Sequence, residues 1–198
     1  SMIRKEFNGR YIITPDVFVT ADTHFGHANI IRFCDRPYAT AREMDDALVA
    51  EWNRVVGDDD DVLHLGDFVM GDDRQAQAML SRLKGRLHFV RGNHDTRWGH
   101  SRMSSLSGHP IVWLSDAPVM VCDGLKAHCC HYPMRSWDGQ YHGSVHLYGH
   151  VHNSLEPLPN SVDAGVDASI ERNGGVFRLE TFGELVKIAK TTAMQSSS

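Results

Sequence analysis

The sequence predicts a single α/β domain whose second half is rich in β-strands. Short apolar runs alternate with stretches of helical spacing in the first half, which is the pattern of a parallel sheet. In the second half, strand-like runs follow one another directly, so two sheets packed between helices are expected. The length of 198 residues favours one domain, spanning residues 1–198, with a sizeable core.

The first half is predicted to alternate strands and helices. Apolar, β-branched runs predict three strands, at residues 17–21, 62–65 and 87–90. Helical spacing predicts two helices, at residues 41–56 and 72–83. In the first helix, Met44, Leu48 and Trp52 are four residues apart and share a face. The second helix can be capped by Asp72 or Asp73.

The second half is predicted to consist mainly of short strands. Strand-like runs occur at residues 111–114, 118–122, 125–130, 145–148, 162–166 and 176–179. Asp123-Gly124 separates the second run from the third, and this dipeptide is a strong signal for a hairpin turn. Residues 184–190 are predicted to close the chain as a helix.

Composition narrows the possible partners. The formal net charge is −5, from 20 Lys and Arg against 25 Asp and Glu. This negative charge argues against sequence-independent binding to duplex DNA. A small phosphorylated substrate stays possible, because bound metals would supply local positive charge. No apolar run approaches the roughly 18 residues of a membrane span, so no membrane partner is expected. The four cysteines are Cys34, Cys122, Cys129 and Cys130. They lack the spacing of a disulfide framework, and a reducing, cytoplasmic setting is therefore expected.

Five polar clusters lie at or just beyond the ends of predicted strands. They are Asp22-Thr23-His24, Gly66-Asp67, Gly92-Asn93-His94-Asp95, His131 and Gly149-His150-Val151-His152. In open α/β sheets, ligands bind outside the carboxyl ends of the strands, so distant clusters can form one site. Asp, Asn and His side chains suit divalent transition metals such as Mn, Fe, Co, Ni or Zn. The glycines at positions 66, 92 and 149 are expected to let the backbone turn sharply under the ligands.

Each cluster alone is a weak signal, but their order resembles the calcineurin-like metallophosphoesterases, whose pattern is DxH, GD, GNH(D/E), a strand-end His and GHxH. The match runs from Asp22 to His152, about two-thirds of the chain. Residues 22–27 (DTHFGH) and 160–167 also resemble segments of small bacterial and phage members. The resemblance implies a four-layer αββα sandwich of two mixed β-sheets flanked by helices.

The resemblance also implies a role for each matched residue. The implied ligands of two divalent transition metal ions are Asp22, His24 and His152 for one, Asn93, His131 and His150 for the other, and Asp67 bridging both through its two carboxylate oxygens. Two metals can share a hydroxide that attacks phosphorus in line. His94 is implied as the general acid, with Asp95 orienting its ring.

The expected reaction is hydrolysis of a phosphodiester, or of a phosphomonoester. A diester is preferred because the chain has no obvious cap domain, and nucleotides, cyclic ones included, or short nucleic-acid ends are the expected substrates. Two other functions stay open, a metal-bound scaffold with little catalysis and a nuclease. The complete ligand set and His94 count against the scaffold, and the acidic balance counts mildly against the nuclease. The oligomeric state is left open.

Some polar residues have both a functional and a structural interpretation. His27, Arg135 and Trp137 are candidate substrate contacts, as a neighbour of the first motif, a phosphate clamp and an aromatic wall for a base, respectively. A purely structural role is open for each of them. His128-Cys129-Cys130-His131 resembles a zinc site, but side chains alternate faces along a strand, so these four cannot converge on one ion.

Overall fold

The computed structural model describes residues 1–196, with side chains to residue 194, and contains two mixed β-sheets flanked by helices. The six-stranded sheet has the order β1 (Ile3–Lys5), β2 (Tyr11–Ile13), β7 (Val119–Cys122), β8 (Leu125–Cys130), β9 (Val145–Tyr148), β10 (Ser161–Asp163). The five-stranded sheet has the order β11 (Glu180–Thr181), β3 (Phe18–Thr20), β4 (Asp61–His64), β5 (Arg86–Phe89), β6 (Val112–Trp113). This confirms the predicted α/β class and the two mixed sheets.

Five helices are found in the described part of the chain: α1 (Ala28–Cys34), α2 (Ala41–Val55), α3 (Asp73–Leu80), α4 (Val166–Arg172) and α5 (Phe182–Ser196). The predicted start of α3 is explained by Asp72, whose side chain accepts the backbone N–H groups of Arg74 and Gln75. In return, the side-chain oxygen of Gln75 accepts the backbone N–H of Asp72. Similarly, the Thr40 hydroxyl accepts the N–H of Glu43 at the start of α2.

The core has two apolar layers. One lies between the helices and the five-stranded sheet, where Trp52 of α2 and Leu80 of α3 pack with Leu87 of β5. The other lies between the two sheets, where Leu63 of β4 and Leu147 of β9 are both fully buried. Since burying one such side chain contributes about 1.5–3 kcal/mol, these layers supply the main stabilisation of the fold.

Parallel pairing brings the polar clusters to one edge of each sheet. In the five-stranded sheet, β3, β4 and β5 are parallel neighbours, so residues 22–24, 66–67 and 92–95 leave the sheet at the same end. In the six-stranded sheet, β8 and β9 are parallel, so His131 and residues 149–152 leave it together. Strand direction therefore gathers three clusters at one sheet and two at the other. The packing of the two sheets then brings both sets together, with Asp67 Oδ2 3.3 Å from His131 Nε2.

Two predicted strands need correction. The run at 162–166 ends as a strand at Asp163, and Val166 begins α4, where it packs into the layer of apolar side chains that covers the five-stranded sheet. Residues 176–179 do not form a strand, because Phe177 and Leu179 pack against that same layer without a ladder partner. The strand β11 begins only at Glu180.

Some elements had no clear sequence signal, and others were predicted correctly. The short β1–β2 hairpin and α1 were missed, whereas the hairpin turn at Asp123-Gly124 has positive φ at both residues, as a type I′ turn requires. Burial alternates along β8, with Cys129 buried between the sheets and Cys130 half-buried, as strand geometry predicts. Among the described helices, none has the length and apolar character needed to cross a membrane.

Candidate metal centre

The first cluster of candidate ligands comprises Asp22, His24 and His152, whose ligand atoms lie within 4.8 Å of one another. Asp22 is completely buried, and its Oδ2 accepts the backbone N–H of His150 at 2.9 Å. Asp22 Oδ1 and His24 Nε2 are also buried, and neither has a hydrogen-bond partner among the described residues. A buried polar atom without a partner is costly unless something else binds it, and a cation would satisfy both atoms.

The second cluster comprises Asp67, His131 and His150, again with ligand atoms within 4.8 Å. Asn93 joins it, because its Oδ1 lies 2.9 Å from His131 Nε2 and 3.1 Å from His150 Nδ1. The Nδ1–H of His131 donates to the carbonyl of Leu65 at 2.7 Å. That bond fixes the tautomer, so the Nε2 lone pair of His131 is available to a metal.

Asp67 stands between the two clusters. Its Oδ2 lies 3.6 Å from His24 Nε2 in the first cluster and 3.3 Å from His131 Nε2 in the second. Its Oδ1 accepts the backbone N–H of His94 at 2.8 Å. A single carboxylate oxygen therefore faces both clusters, whereas the resemblance implied bridging through both oxygens.

The donor atoms fit divalent transition metal ions. Four imidazoles, two carboxylates and one amide oxygen converge, namely those of Asp22, His24, Asp67, Asn93, His131, His150 and His152. A set so rich in imidazole suits Mn, Fe, Co, Ni or Zn better than Mg or Ca, which prefer all-oxygen ligands. The placement brings all seven predicted ligands together, and their role as ligands stays a prediction.

The electrostatics of the clusters also favour a bound cation. Burial raises the pKa of Asp22 to about 7, because an isolated carboxylate is poorly solvated there. Burial lowers the pKa of His24 to about 2, so its ring is neutral and can act as a ligand. For Asp67, burial opposes ionisation, but a hydrogen bond from the His131 ring, whose Nε2 proton a metal would displace, outweighs it and lowers the pKa to about 2. A metal beside Asp22 would likewise favour its charged form.

Five of the candidate ligands have a left-handed backbone. Their φ values are 57° for Asp22, 48° for His24, 60° for Asp67, 73° for His150 and 49° for His152. Few non-glycine residues adopt this region, and such strain concentrates at functional sites. Nothing in the sequence analysis predicted this feature.

The glycines that precede the candidate ligands are needed mainly because a side chain would not fit there, and less because the backbone turns. Only Gly66 has a positive φ, whereas Gly92 and Gly149 do not. A Cβ on Gly149 would lie 2.9 Å from Asp22 Oδ2. A Cβ on Gly92 would lie 2.3 Å from Asp67 Oδ1 and 2.5 Å from the Asp67 nitrogen. The expectation of a sharp turn is therefore correct at Gly66, while Gly92 is required because the Asp67 loop packs directly on it.

A buried network anchors the first cluster from behind. Arg36 donates to both carboxylate oxygens of Asp167 at 2.9 Å and to the backbone carbonyls of Asp22 and Thr23. Asp167 Oδ2 accepts Nδ1–H of His152 at 2.7 Å, which leaves Nε2 of His152 free. Burial would lower the pKa of His152, but the bond to Asp167 outweighs it and raises the pKa to about 10, so a metal bound at Nε2 would displace a proton from that nitrogen.

His64 anchors the second motif to the first. The Gly66 N–H donates to His64 Nδ1, so the Nε2–H of His64 donates to Thr23 Oγ1 at 3.0 Å. The Thr23 hydroxyl in turn donates to the carbonyl of Phe68. Sequence reasoning missed both His64 and Asp167, although each had a signal. His64 is a polar residue at the end of an apolar strand, and Asp167 ends the 160–167 segment that resembles small family members.

Asp95 does not orient the ring of His94, which corrects that prediction. Its buried carboxylate accepts the backbone N–H groups of Asp67, Phe68 and Gly92 and the indole N–H of Trp98. These four bonds occupy both oxygens, and none of the hydrogen bonds found in the described residues joins Asp95 to the His94 ring. Asp95 is a positioning residue that ties the GD loop to the GNHD loop.

His94 and His27 lie beside the ligand clusters. The ring centroids of both are 5.5 Å from that of His24, and both side chains line a cavity of about 660 Å³ next to the clusters. The side chain of His94 is exposed, and no hydrogen bond to its ring is found in the described part of the chain. This placement leaves the ring free to reach a substrate.

Arg135 and Trp137 lie away from this cavity. Arg135 lines a separate recess with Tyr148. Trp137 is buried and stacks on His146 at a centroid distance of 5.0 Å, so its ring cannot form a wall for a base. His146 is itself fixed, since Nδ1–H donates to the carbonyl of His128 and Nε2 accepts the N–H of Met134. Burial lowers the pKa of His146 to about 4.

Comparison with known proteins shows the class to which this fold and these side-chain clusters belong. The sequence model of the calcineurin-like phosphoesterase superfamily domain matches residues 16–179, so the chain belongs to this superfamily. The family assignment supports hydrolysis of phosphoesters with divalent metals.

The similar proteins found are themselves without an assigned activity or carry only a gene number. An uncharacterized protein of Methanocaldococcus jannaschii is 31% identical over 160 residues, which cover 78% of this chain and 81% of that protein. The gene 66 protein of Mycobacterium phage L5 is 36% identical over 84 residues, 40% of each chain. The crystal structure of a protein of unknown function from Aquifex aeolicus superposes with a TM-score of 0.61 at 18% identity, covering 89% of this chain and 99% of that one. That structural similarity supports the fold alone.

Proposed function

We propose that this protein hydrolyses phosphodiesters with two divalent transition metal ions and uses His94 as its general acid. The observation that carries the proposal is the position of Asp67. One oxygen of this carboxylate lies within 3.6 Å of a candidate ligand nitrogen in each cluster, and this position supports a single dinuclear site. When bound, the two metals would supply the Lewis acidity that activates water at neutral pH and neutralises phosphate oxygens.

The chain itself supplies the proton and the orientation. The backbone N–H of His94 is tied to Asp67 Oδ1, so its ring is carried by the same loop contact that fixes the bridging residue. A positioned imidazole can give its proton to the leaving oxygen, which contributes about a hundred- to ten-thousand-fold in rate. His27, which lines the same cavity, is proposed to contact the substrate.

A diester is favoured because the centre has space on both sides. The cavity of about 660 Å³ adjoins His24 and His94, and a second recess of about 250 Å³ adjoins Asn93 and His131. A phosphate at the metals could therefore place one substituent in each recess. A monoester would leave one recess to water.

Purified protein loaded with Mn²⁺ should hydrolyse bis(p-nitrophenyl) phosphate, and a chelator should abolish the reaction. Asp67→Asn should lower the content of both metals in elemental analysis, because an amide cannot bridge as a carboxylate does. Asp123→Asn, in the exposed β7–β8 turn, is the matched control and should behave like wild type. Two full equivalents of metal in Asp67→Asn would contradict the bridging role.

The alternative is a metal-bound scaffold. It would require that a folded protein carrying two metals shows no activity on any phosphoester tested, which is the outcome that would replace this proposal. We also propose manganese as the native metal, because the carboxylates of Asp22 and Asp67 and the amide oxygen of Asn93 are donor types that suit it. A cytoplasmic location is proposed as well, and the four free cysteines support it.

A further inference from the structure

The cavity beside the candidate metal centre has walls of contrasting chemistry. Its floor includes the candidate ligands His24, Asp67 and His150. One wall is α1, which contributes the apolar side chains of Ile30 and Phe33. With metals bound, the floor would suit a phosphate, whereas the α1 wall suits an apolar group attached to it.

Phe33 is the unusual member of this wall. Its side chain is 75% exposed, while Ile30, almost one turn earlier on the same helix, is buried. A single exposed aromatic residue elsewhere on a surface needs no explanation. Phe33 differs because it borders the same cavity as His94, so its ring is available to whatever binds at the metals.

The charges around the cavity argue against a second anionic group. No Lys or Arg side chain is among the described residues that line it. Apart from the candidate ligands and the histidines His27 and His94, its one charged residue is the exposed Asp35 at the C-terminal end of α1. A second phosphate on the substrate would meet a carboxylate there without a compensating cation. A neutral aromatic group would meet the Phe33 ring instead.

We propose that Phe33 is a stacking platform for a nucleobase, so that the substrates of this site are nucleoside phosphoesters. The inference rests on the proposed function, since the phosphate must bind at the metal centre. Stacking on an aromatic ring accepts any base, because every base has a π face. The base should therefore strengthen binding by roughly ten- to a hundredfold, with little choice among bases.

The test compares three ligands by calorimetry on Mn²⁺-loaded protein: AMP, ribose 5-phosphate and ribose 1,5-bisphosphate. The first two differ only by the base, and AMP should bind at least about tenfold more tightly. The bisphosphate, which adds an anion where the base would stand, should bind no more tightly than ribose 5-phosphate.

Variants then locate the effect. Phe33→Ala should lower the affinity for AMP to that for ribose 5-phosphate and leave the affinity for ribose 5-phosphate unchanged. Phe33→Trp should preserve the difference in affinity between the two ligands. Phe7→Ala removes a fully exposed phenylalanine between β1 and β2 and serves as the matched control.

The outcomes separate the two proposals. Equal binding of AMP and ribose 5-phosphate to wild type, or an undiminished difference in Phe33→Ala, would overturn the platform and leave the hydrolytic function intact. Tighter binding of the bisphosphate would overturn the charge argument. Failure of both sugar phosphates and of inorganic phosphate to bind would remove the phosphate site itself, and both proposals with it.

Discussion

Replacing Asp95 by Asn tests whether the GD and GNHD loops are joined through this carboxylate. Oδ2 of Asp95 accepts the N–H groups of Asp67 and Gly92, both at 2.7 Å. Oδ1 accepts the N–H of Phe68 at 3.1 Å and the indole N–H of Trp98 at 2.7 Å. An amide has one acceptor oxygen, so in either orientation its NH₂ group would face two donors.

The expected destabilisation follows from these bonds. A hydrogen bond to a charged acceptor contributes about 1.5–3 kcal/mol, so losing two costs about 3–6 kcal/mol. Burial, which raises the pKa of Asp95, shows that ionisation itself is penalised there, and Asn avoids that penalty. We therefore expect a loss at the lower end, about 3 kcal/mol. That is a large share of the free energy of unfolding of a typical protein, about 5–15 kcal/mol.

The assay is urea unfolding of metal-free protein, so that metal binding does not mask the change. Unfolding can be followed by circular dichroism and by tryptophan fluorescence, because Trp98 reports on the broken bond directly. Asp123→Asn is again the control, since Asn tolerates the left-handed conformation of that exposed turn. Metal affinity of Asp95→Asn should fall as well, because Asp67 and Asn93 lose their common anchor.

Two results would refute this reasoning. A free energy of unfolding within about 1 kcal/mol of wild type would show that the four bonds matter little. Alternatively, an unchanged stability combined with a rate loss that depends on the leaving group would restore Asp95 as the residue that orients His94.

Three further predictions address the acid, the packing and the pH dependence. His94→Ala should keep its metals and lose far more rate on an ester with an alkoxide leaving group than on a nitrophenyl ester, and equal losses would refute its role as acid. Gly92→Ala should displace Asp67 and lower the metal content found by elemental analysis, whereas Gly57→Ala, whose Cβ approaches only the Asp60 carboxylate, at 3.2 Å, should not. His146 has a folded pKa of about 4, below its unfolded value, so its stabilisation is present above about pH 6.5 and is lost on acidification toward 4. Between pH 7 and 5, the free energy of unfolding measured in urea should therefore fall by about 2 kcal/mol more for wild type than for His146→Gln. Parallel pH profiles of the two proteins would contradict this.

The convergence of the motif clusters within each sheet could be predicted because strand order and direction determine it, and the contact between the two sheets joins the two sets. Each cluster follows a buried strand, and parallel neighbours end at the same edge of a sheet. The same logic failed for residues 176–179, since an apolar run has the same pattern whether it pairs in a ladder or packs as a loop against a helix. Phe177 and Leu179 are buried by the second route.

The residues behind the ligands could not be predicted, because their partners are distant in sequence and lie on unpredicted elements. Asp167 lies on α4, in a segment predicted to end as a strand, and Arg36 follows α1, which had no clear signal. The misassignment of Asp95 has a similar cause. Adjacency in the motif suggested a partnership with His94, whereas the fold turns the Asp95 carboxylate toward Trp98 and the GD loop.

The candidate ligands with a left-handed backbone are held in that conformation by the residues that anchor their loops. A left-handed backbone at a non-glycine residue costs about 1–3 kcal/mol, and it persists only where the surroundings determine it. At His24 and Asp67 those surroundings are backbone hydrogen bonds between the two loops, with His24 N–H donating to the Asp67 carbonyl at 3.1 Å. Arg36 and Asp95 then fix each loop from behind. Because the anchors contact the backbone and not the cavity, weakening them should relax ligand geometry and lower metal affinity before it changes the chemistry of bound substrate.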